Sequence, residues 1–321
     1  MADLSPERIA HAATVIDERF RDTPQYTDEL LSAALGRPVL VKVETANPLR
    51  SFKGRGAEFL LHGLPADTPA VVCASSGNFG QGIAYAGRRR GMPVHVFSTA
   101  AGNPVKMARL RALGATVTLV DGDGDAAKQA AREHARRQPG AVFVEDGREP
   151  AIAEGAGTIA IELLRASTPD TVVLPVGDGS LIAGVACWLR HAAPATRVVG
   201  VGVTGSPALA DSLRAGHVVA SGPVDTIAEG IAIRVPVRES VERLRDLVDE
   251  MVLVEDDDLF AAMRLIAGTL GILVEPAGAA GIAAIARHGL GERPATVLTG
   301  ANPHPEIQHT VLGQGFLPAG T

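Results

Sequence analysis

The chain reads as an α/β protein with mostly parallel sheet and helices on both faces. Three observations lead there. Short apolar runs alternate with segments of helical spacing along the 321 residues, the pattern of strand, helix and strand units. The runs carry few polar residues, as strands buried on both faces do. Two of them are followed by glycine-containing loops, at the carboxyl ends where such sheets bind ligands.

In chain order, strands are expected at 38–43, 70–74, 94–98, 116–120, 141–144, 171–176, 197–203, 251–254 and 295–298. Helices are expected at 52–61, 81–90, 104–113, 125–137, 150–164, 181–191 and 256–270, with Ser51 as N-cap of the first. The nearly uncharged stretch 265–286 is long enough to span a bilayer, but it is broken by Gly271, Pro276 and Gly278 and carries Glu275. It reads as buried strand and helix. No internal repeat or low-complexity linker is visible.

Composition narrows the function. With 46% hydrophobic and 21% charged residues the chain is an ordinary globular protein, long enough to divide its core between two lobes. Acidic residues exceed basic ones by 36 to 30, for a net charge of -6, and the only basic run is Arg88 to Arg90. Nucleic acid is not an expected partner. Aromatics make up 3%, too few for a stacking platform or a membrane belt. Cys73 and Cys187 are far apart with no C-x-x-C, which argues against a disulfide framework or structural zinc and fits a reducing compartment. The polar start, Met-Ala-Asp-Leu-Ser-Pro-Glu-Arg, has no signal-peptide character, so the cytoplasm is expected.

The loop after 70–74, Ser75-Ser76-Gly77-Asn78-Phe79-Gly80-Gln81-Gly82, lets backbone amides approach an anion at a helix start. After 171–176 comes Gly177-Asp178-Gly179-Ser180, leading into an apolar helix, a geometry that grips phosphate. As a dinucleotide fingerprint it is incomplete, because Ile182 stands where a third glycine belongs. Each loop alone fits a tight structural turn as well as a binding site.

Lysine is scarce: of 30 basic residues only Lys42, Lys53, Lys106 and Lys128 are lysines. Lys42 lies in a strand, and Lys106 and Lys128 read as members of solvated helix faces. Lys53 falls in the first turn of a helix, beside an apolar wall from Phe52 and near Arg55. The positive helix end and the guanidinium both disfavour the ammonium form, as a bond-forming amine requires. Its neighbours alone also fit a surface lysine.

At these residues the chain resembles a family. Ser51-Phe52-Lys53-Gly54-Arg55-Gly56-Ala57 resembles the Ser-Phe-Lys-x-Arg-Gly-Ala motif of fold-type II pyridoxal-phosphate enzymes, the group of threonine and serine dehydratases and serine racemase. Ser75 to Gln81 is similar to their substrate-carboxylate loop, and Gly155-Ala156-Gly157-Thr158 to their Gly-Gln-Gly-Thr helix start. Gly177 to Ser180 is similar to the cofactor phosphate loop, Ala228-Glu229-Gly230 to an Ala-Asp-Gly turn, and Thr299-Gly300-Ala301-Asn302 to a final Ser-Gly-Gly-Asn. The matches are collinear over most of the chain. The resemblance implies a two-lobed, tryptophan synthase β-like architecture: a small domain at 70–147 and a large one from 1–69 plus 148–321.

It also implies roles. Lys53 would hold pyridoxal 5′-phosphate as an imine and, once displaced by substrate, remove the Cα proton. Phe52 would wall the cofactor, Asn78 would hydrogen-bond its phenolic oxygen, and Gly177, Asp178, Gly179 and Ser180 would take the phosphate. Thr299 would face the pyridine nitrogen without keeping it protonated, which favours loss of a β-leaving group over reactions needing a long-lived carbanion. Ser75, Ser76, Gly77, Asn78 and Phe79 would hold the substrate, a small amino acid.

There are departures. Phe79 replaces a usual His, Asp178 puts a carboxylate beside an expected phosphate, and Ala301 replaces a Gly. Arg50 stands where dehydratases have a small residue; it is either solvent-facing or a grip for a substrate bearing a second carboxylate. Gly202 and Val203 stand where metal-activated members have Glu-Pro, and His304, Glu306 and His309 read as a solvated tail, so no metal is expected. The expected activity is elimination from threonine or serine, giving a 2-oxo acid and ammonia. Alternatives are an amino-acid racemase, with Ser76 as the acid on the opposite face, a β-replacement enzyme, and a catalytically silent ligand-binding homologue. A homodimer is expected. The extra regulatory domain of feedback-controlled dehydratases is not, since the chain ends soon after Thr299.

Overall fold

The computed structural model describes residues 3–100 and 102–313. Its strands are β1 (Gln25–Thr27), β2 (Leu40–Val43), β3 (Val71–Ala74), β4 (Val94–Thr99), β5 (Thr116–Val120), β6 (Val142–Val144), β7 (Thr171–Pro175), β8 (Arg197–Val203), β9 (Glu250–Val254) and β10 (Pro294–Leu298). Its helices are α1 (Pro6–Val15), α2 (Glu29–Leu35), α3 (Lys53–His62), α4 (Asn78–Arg90), α5 (Pro104–Ala112), α6 (Gly124–Arg137), α7 (Pro150–Ala166), α8 (Ser180–Ala192), α9 (Ala208–Ala215), α10 (Arg238–Leu247), α11 (Asp256–Leu270), α12 (Pro276–His288) and α13 (Pro305–Leu312). Each apolar run expected as a strand is one. The addition is β1, a short polar edge strand antiparallel to β2 with Gln25 opposite Lys42.

The strands form two sheets, β1-β2-β10-β7-β8-β9 and β5-β4-β3-β6, parallel throughout apart from β1. Side chains alternate between the two faces of each strand. On β7, Val173 joins Met263 of α11 and Ile282 of α12, whereas Val172 and Leu174 join Ile159 of α7 and Val185 of α8. Each such burial contributes roughly 1.5–3 kcal/mol. In the smaller sheet Val71, Cys73 and Val96 meet Ala57 of α3 and Ile83 of α4. Val72 and Phe97 meet Ala127 and Ala131 of α6, a helix whose buried face is alanine at every fourth position.

Three local expectations are corrected. Helix α4 opens at Asn78 rather than Gln81, because Ser75 Oγ accepts the N–H groups of Gly77 (3.1 Å) and Gly80 (3.0 Å). Gly155 to Thr158 lie inside α7, not at its start; a Cβ at Gly155 would stand 2.5 Å from the Arg55 carbonyl oxygen, so the glycine lets α3 and α7 touch. The stretch 265–286 contains no strand: left-handed Gly271 ends α11 and Pro276 begins α12. Among the described residues no helix is long and apolar enough to cross a membrane.

The connectivity places the site. In the larger sheet the chain runs from β7 outward to β8 and β9, then returns to β10 on the other side of β7; in the smaller it runs from β3 to β4 and β5, then returns to β6 on the other side of β3. Each reversal leaves a crevice at the carboxyl ends of two strands, where α/β sheets bind ligands. Both crevices open on one cavity, lined by residues that follow β3, β6, β7 and β10.

Candidate active site

The cavity has a volume of about 930 Å³, at the upper end of the usual range for ligand pockets. Lys53, the first residue of α3, reaches into it. The preceding turn is tied to the end of β10: the Phe52 N–H donates to the Thr299 carbonyl (3.1 Å), and Ser51 forms a bridge with Gly300. Lys53 Nζ lies 4.6 Å from the Phe52 ring centroid and is ion-paired with Asp146. Arg55 is not its neighbour. That guanidinium is fully buried and bound to Glu44 and Glu162, so the cation expected to act on Lys53 points away from the cavity.

Asp146, just after β6, accepts from Lys53, from Ser180 Oγ (2.6 Å) and from its own Gly147 N–H (3.1 Å). Burial raises its pKa, but the Lys53 charge and these hydrogen bonds outweigh burial and hold the carboxyl below its ordinary range. Asp178 has no such partners, and its Oδ1 is buried without a hydrogen bond. Burial first, then the Asp146 and Glu145 charges, outweigh Lys128 and Lys53 and push its carboxyl up to about 6.

On the small-sheet side Asn78 is clamped: its Nδ2 donates to Glu275 (2.7 Å), and its Oδ1 accepts from Asn302 Nδ2 (2.9 Å) and Gln81 Nε2 (3.3 Å). Ser76 Oγ accepts from buried Ser98 Oγ (3.0 Å) and lies 3.4 Å from the Thr99 hydroxyl. Gly77 caps α4, and Phe79 touches the cavity while packing mainly into the core. Opposite, the N–H groups of Gly177, Asp178, Gly179 and Ser180 donate to no acceptor among the described residues, at the start of a 13-residue helix. Gly179 takes φ +90°, and a Cβ there would meet Ser240 Oγ at 2.3 Å. Free amides at a helix N-terminus form an anion cradle, and Thr299 borders the same cavity.

All the expected site residues line this cavity except Arg50. Arg50 is exposed, takes φ +51°, and borders a separate recess with Thr45, Gly271 and Gln308, a placement that favours the solvent-facing alternative over the substrate grip. Two lysines read as surface residues are corrected. Lys106 is buried between Glu229 (2.8 Å) and Glu275 (3.3 Å); burial lowers its pKa, but the two carboxylates outweigh that and the net shift is upward. Lys128 lines the cavity 3.5 Å from Glu145. Sequence reasoning missed Asp146, Glu145, Lys106 and Glu275. The signals were present: two acids directly after a strand, a rare lysine, and a lone acid in an apolar stretch.

A lysine amine and a helix N-terminal anion cradle lining one cavity are the parts needed to anchor a phosphorylated aldehyde cofactor through lysine. Residues 16–300 match the family model described as pyridoxal-phosphate dependent enzyme, and the chain belongs to that family. An L-threonine ammonia-lyase of Geobacter sulfurreducens is 34% identical over 97% of this chain and 79% of its own length. A serine racemase of Mus musculus is 30% identical over 84% of this chain and 81% of its own. The solved structure of the processed form of threonine deaminase isoform 2 from Solanum lycopersicum superposes with a TM-score of 0.87 at 29% identity, covering 97% of this chain and 89% of that one. The architecture is that of the fold-type II enzymes, and the cofactor is pyridoxal 5′-phosphate.

Proposed function

We propose that this protein is an ammonia-lyase that converts threonine or serine to a 2-oxo acid and ammonia. The observation that carries the reading is that Lys53 lines one cavity together with the anion cradle and the Ser75 to Asn78 loop. The bound cofactor supplies an electron sink for the pair left behind at Cα. The residues do the rest. The amides of Gly177 to Ser180 would hold the phosphate, Phe52 would wall the ring, Asn78 would hold the phenolic oxygen, and Thr299 would lie toward the ring nitrogen. The Ser75 to Phe79 loop receives the substrate carboxylate at the start of α4. Lys53 would take the Cα proton, with Asp146, its ion-pair partner, positioning the amine. The Cβ–O bond would break and the hydroxyl leave as water, the Cα proton and the hydroxyl together making up that water; the resulting enamine would take up one water after release to give the 2-oxo acid and ammonia.

The roles divide between a small domain at 70–147 and a large one formed by 1–69 and 148–321. The two buried free thiols support a cytoplasmic setting, and we place the chain there as a homodimer, a state that sedimentation checks. The Ser76 hydroxyl, with Ser98 and Thr99 behind it, supports racemisation as the second reading, because that reaction needs a proton donor opposite Lys53. Incubation with each enantiomer of serine and threonine, assaying oxo acid and enantiomer together, tests both. Oxo acid as main product supports the proposal, and faster interconversion of enantiomers overturns it.

A further inference from the structure

The carboxyl group of Asp178 occupies an unexpected place. It sits inside the loop whose amides form the phosphate cradle, Asp178 is one of the residues lining the cavity, and its Oδ1 is buried without a hydrogen-bond partner. The loop is held from behind: Ser240 Oγ on α10 donates to the Asp178 carbonyl (2.6 Å), and a Cβ at Gly147 would stand 2.4 Å from that carbonyl oxygen. The backbone therefore has little freedom to swing the side chain away. An ionised carboxylate would repel a phosphate dianion in the same cradle.

The charged surroundings do not neutralise it as an ion. From α3 comes Lys53, already paired with Asp146; from α6 comes Lys128, 3.5 Å from Glu145. Among the described residues no cation forms an ion pair with Asp178 within 4.0 Å. From the segment after β6 come Asp146 and Glu145, both acids. From α10, Arg243 is engaged by Asp3 and the Gly147 carbonyl. Two acidic groups in one site separate their titrations when only one receives hydrogen bonds. Asp146 receives them and Asp178 does not.

We propose that Asp178 works as a neutral carboxylic acid that donates its proton in a hydrogen bond to the cofactor phosphate, so that cofactor capture takes up a proton and weakens as pH rises. The inference rests on the cofactor site described above. In the cofactor-free protein burial and the neighbouring acids already push the Asp178 carboxyl up to about 6, and an adjacent phosphate dianion pushes it further. Below that range Asp178 adds no pH dependence. Above it each captured phosphate must bring a proton, and affinity falls up to about tenfold per pH unit. A charge-assisted hydrogen bond then replaces a repulsion.

The test uses pyridoxine 5′-phosphate, which lacks the aldehyde and so forms no bond to Lys53. Its dissociation constant is measured from pH 5.5 to 8.5 for the wild type, Asp178→Asn and Asp178→Ser. The phosphate's own second ionisation, near about 6, is common to all three. Between pH 6.5 and 8 the wild type is expected to lose roughly tenfold more affinity than either variant. Calorimetry in buffers of different ionisation enthalpy should show greater proton uptake by the wild type. Parallel affinity curves for all three proteins overturn the proposal. If neither variant folds, absence of net proton uptake by the wild type at pH 7.5 overturns it alone. Failure of the wild type to bind this probe or pyridoxal 5′-phosphate at any pH would instead break the cofactor reading beneath it.

Discussion

Lys53 and Arg55 are two residues apart on α3, yet they belong to opposite kinds of ionic cluster. Around Arg55 the donors and acceptors close on themselves. Its guanidinium makes paired bonds to Glu44 (2.8 and 2.9 Å) and Glu162 (2.6 and 2.9 Å). Thr158 Oγ1 accepts from it as well (2.9 Å), and Lys42 reaches Glu162 (2.5 Å) and the Thr23 carbonyl (2.7 Å). Two cations offset two carboxylates with no solvent contact at Arg55. Around Lys53 the cluster is open: Asp146 is engaged, Asp178 Oδ1 has no partner, and four backbone amides of cavity-lining residues have no acceptor among the described residues. Complete satisfaction makes a structural joint, whereas unsatisfied groups facing a cavity mark where a ligand completes the bonding.

The contrast can be broken by exchanging damage for function. Lys53→Ala should cut turnover by about a thousandfold or more, roughly 4 kcal/mol of barrier, while destabilising less than loss of Arg55, because Asp146 keeps its hydrogen bonds from Ser180 and Gly147. A large loss of stability would show that Lys53 belongs to the structural cluster. Arg55→Met should do the reverse, destabilising by about 3–5 kcal/mol because Glu44 and Glu162 are left buried without their partner. Denaturation of the cofactor-free variant checks it, and an unchanged midpoint would contradict the closed network.

Acid and base should separate the clusters as well. Burial alone would raise Glu162, but hydrogen bonds and charge from Arg55 and Lys42 bring it down to about 2. Its contribution is present above the ordinary carboxylate range and is lost as pH falls toward 2. Asp178, raised to about 6, has the opposite sign: its contribution is present below about 4 and is lost as pH rises through 6. For the cofactor-free protein that loss is about 1–3 kcal/mol, and it should disappear in Asp178→Asn. The smallest effect is expected at Arg50, outside both clusters. Arg50→Gly relieves a left-handed backbone and should stabilise by up to about 1 kcal/mol, leaving the ratio of specificity constants for hydroxyaspartate and serine unchanged. A changed ratio would bring Arg50 back to the substrate.

The sheets were legible because buried parallel strands are continuous apolar runs; the exception is the apolar stretch 265–286, which reads as partly strand and holds none. What escaped was structure without that signature. β1 is three residues at an edge, α10 is dominated by charge, and α12 is an Ala- and Gly-rich helix whose composition carries no clear helical spacing. The lysine and the two loops at the site were readable from local spacing and from likeness to a family. Asp146 and Lys106 were not, because their meaning comes from long-range pairing: Asp146 meets a lysine 93 positions away, and Lys106 a glutamate 123 positions away. At Arg50 the sequence leaves two readings open, because proximity to Lys53 along the chain does not say on which side of the turn at 50–52 a side chain lies; Lys53 lines the cavity and Arg50 a separate recess.

Three of the four lysines, Lys53, Lys106 and Lys128, border the cavity, so the identity of the cofactor lysine is a choice among real candidates. Borohydride reduction of the holoenzyme followed by peptide mapping decides it. A single reduced cofactor adduct on the peptide carrying Lys53, absent from Lys53→Ala, is the predicted result. An adduct on Lys42, Lys106 or Lys128 would contradict the account at its centre.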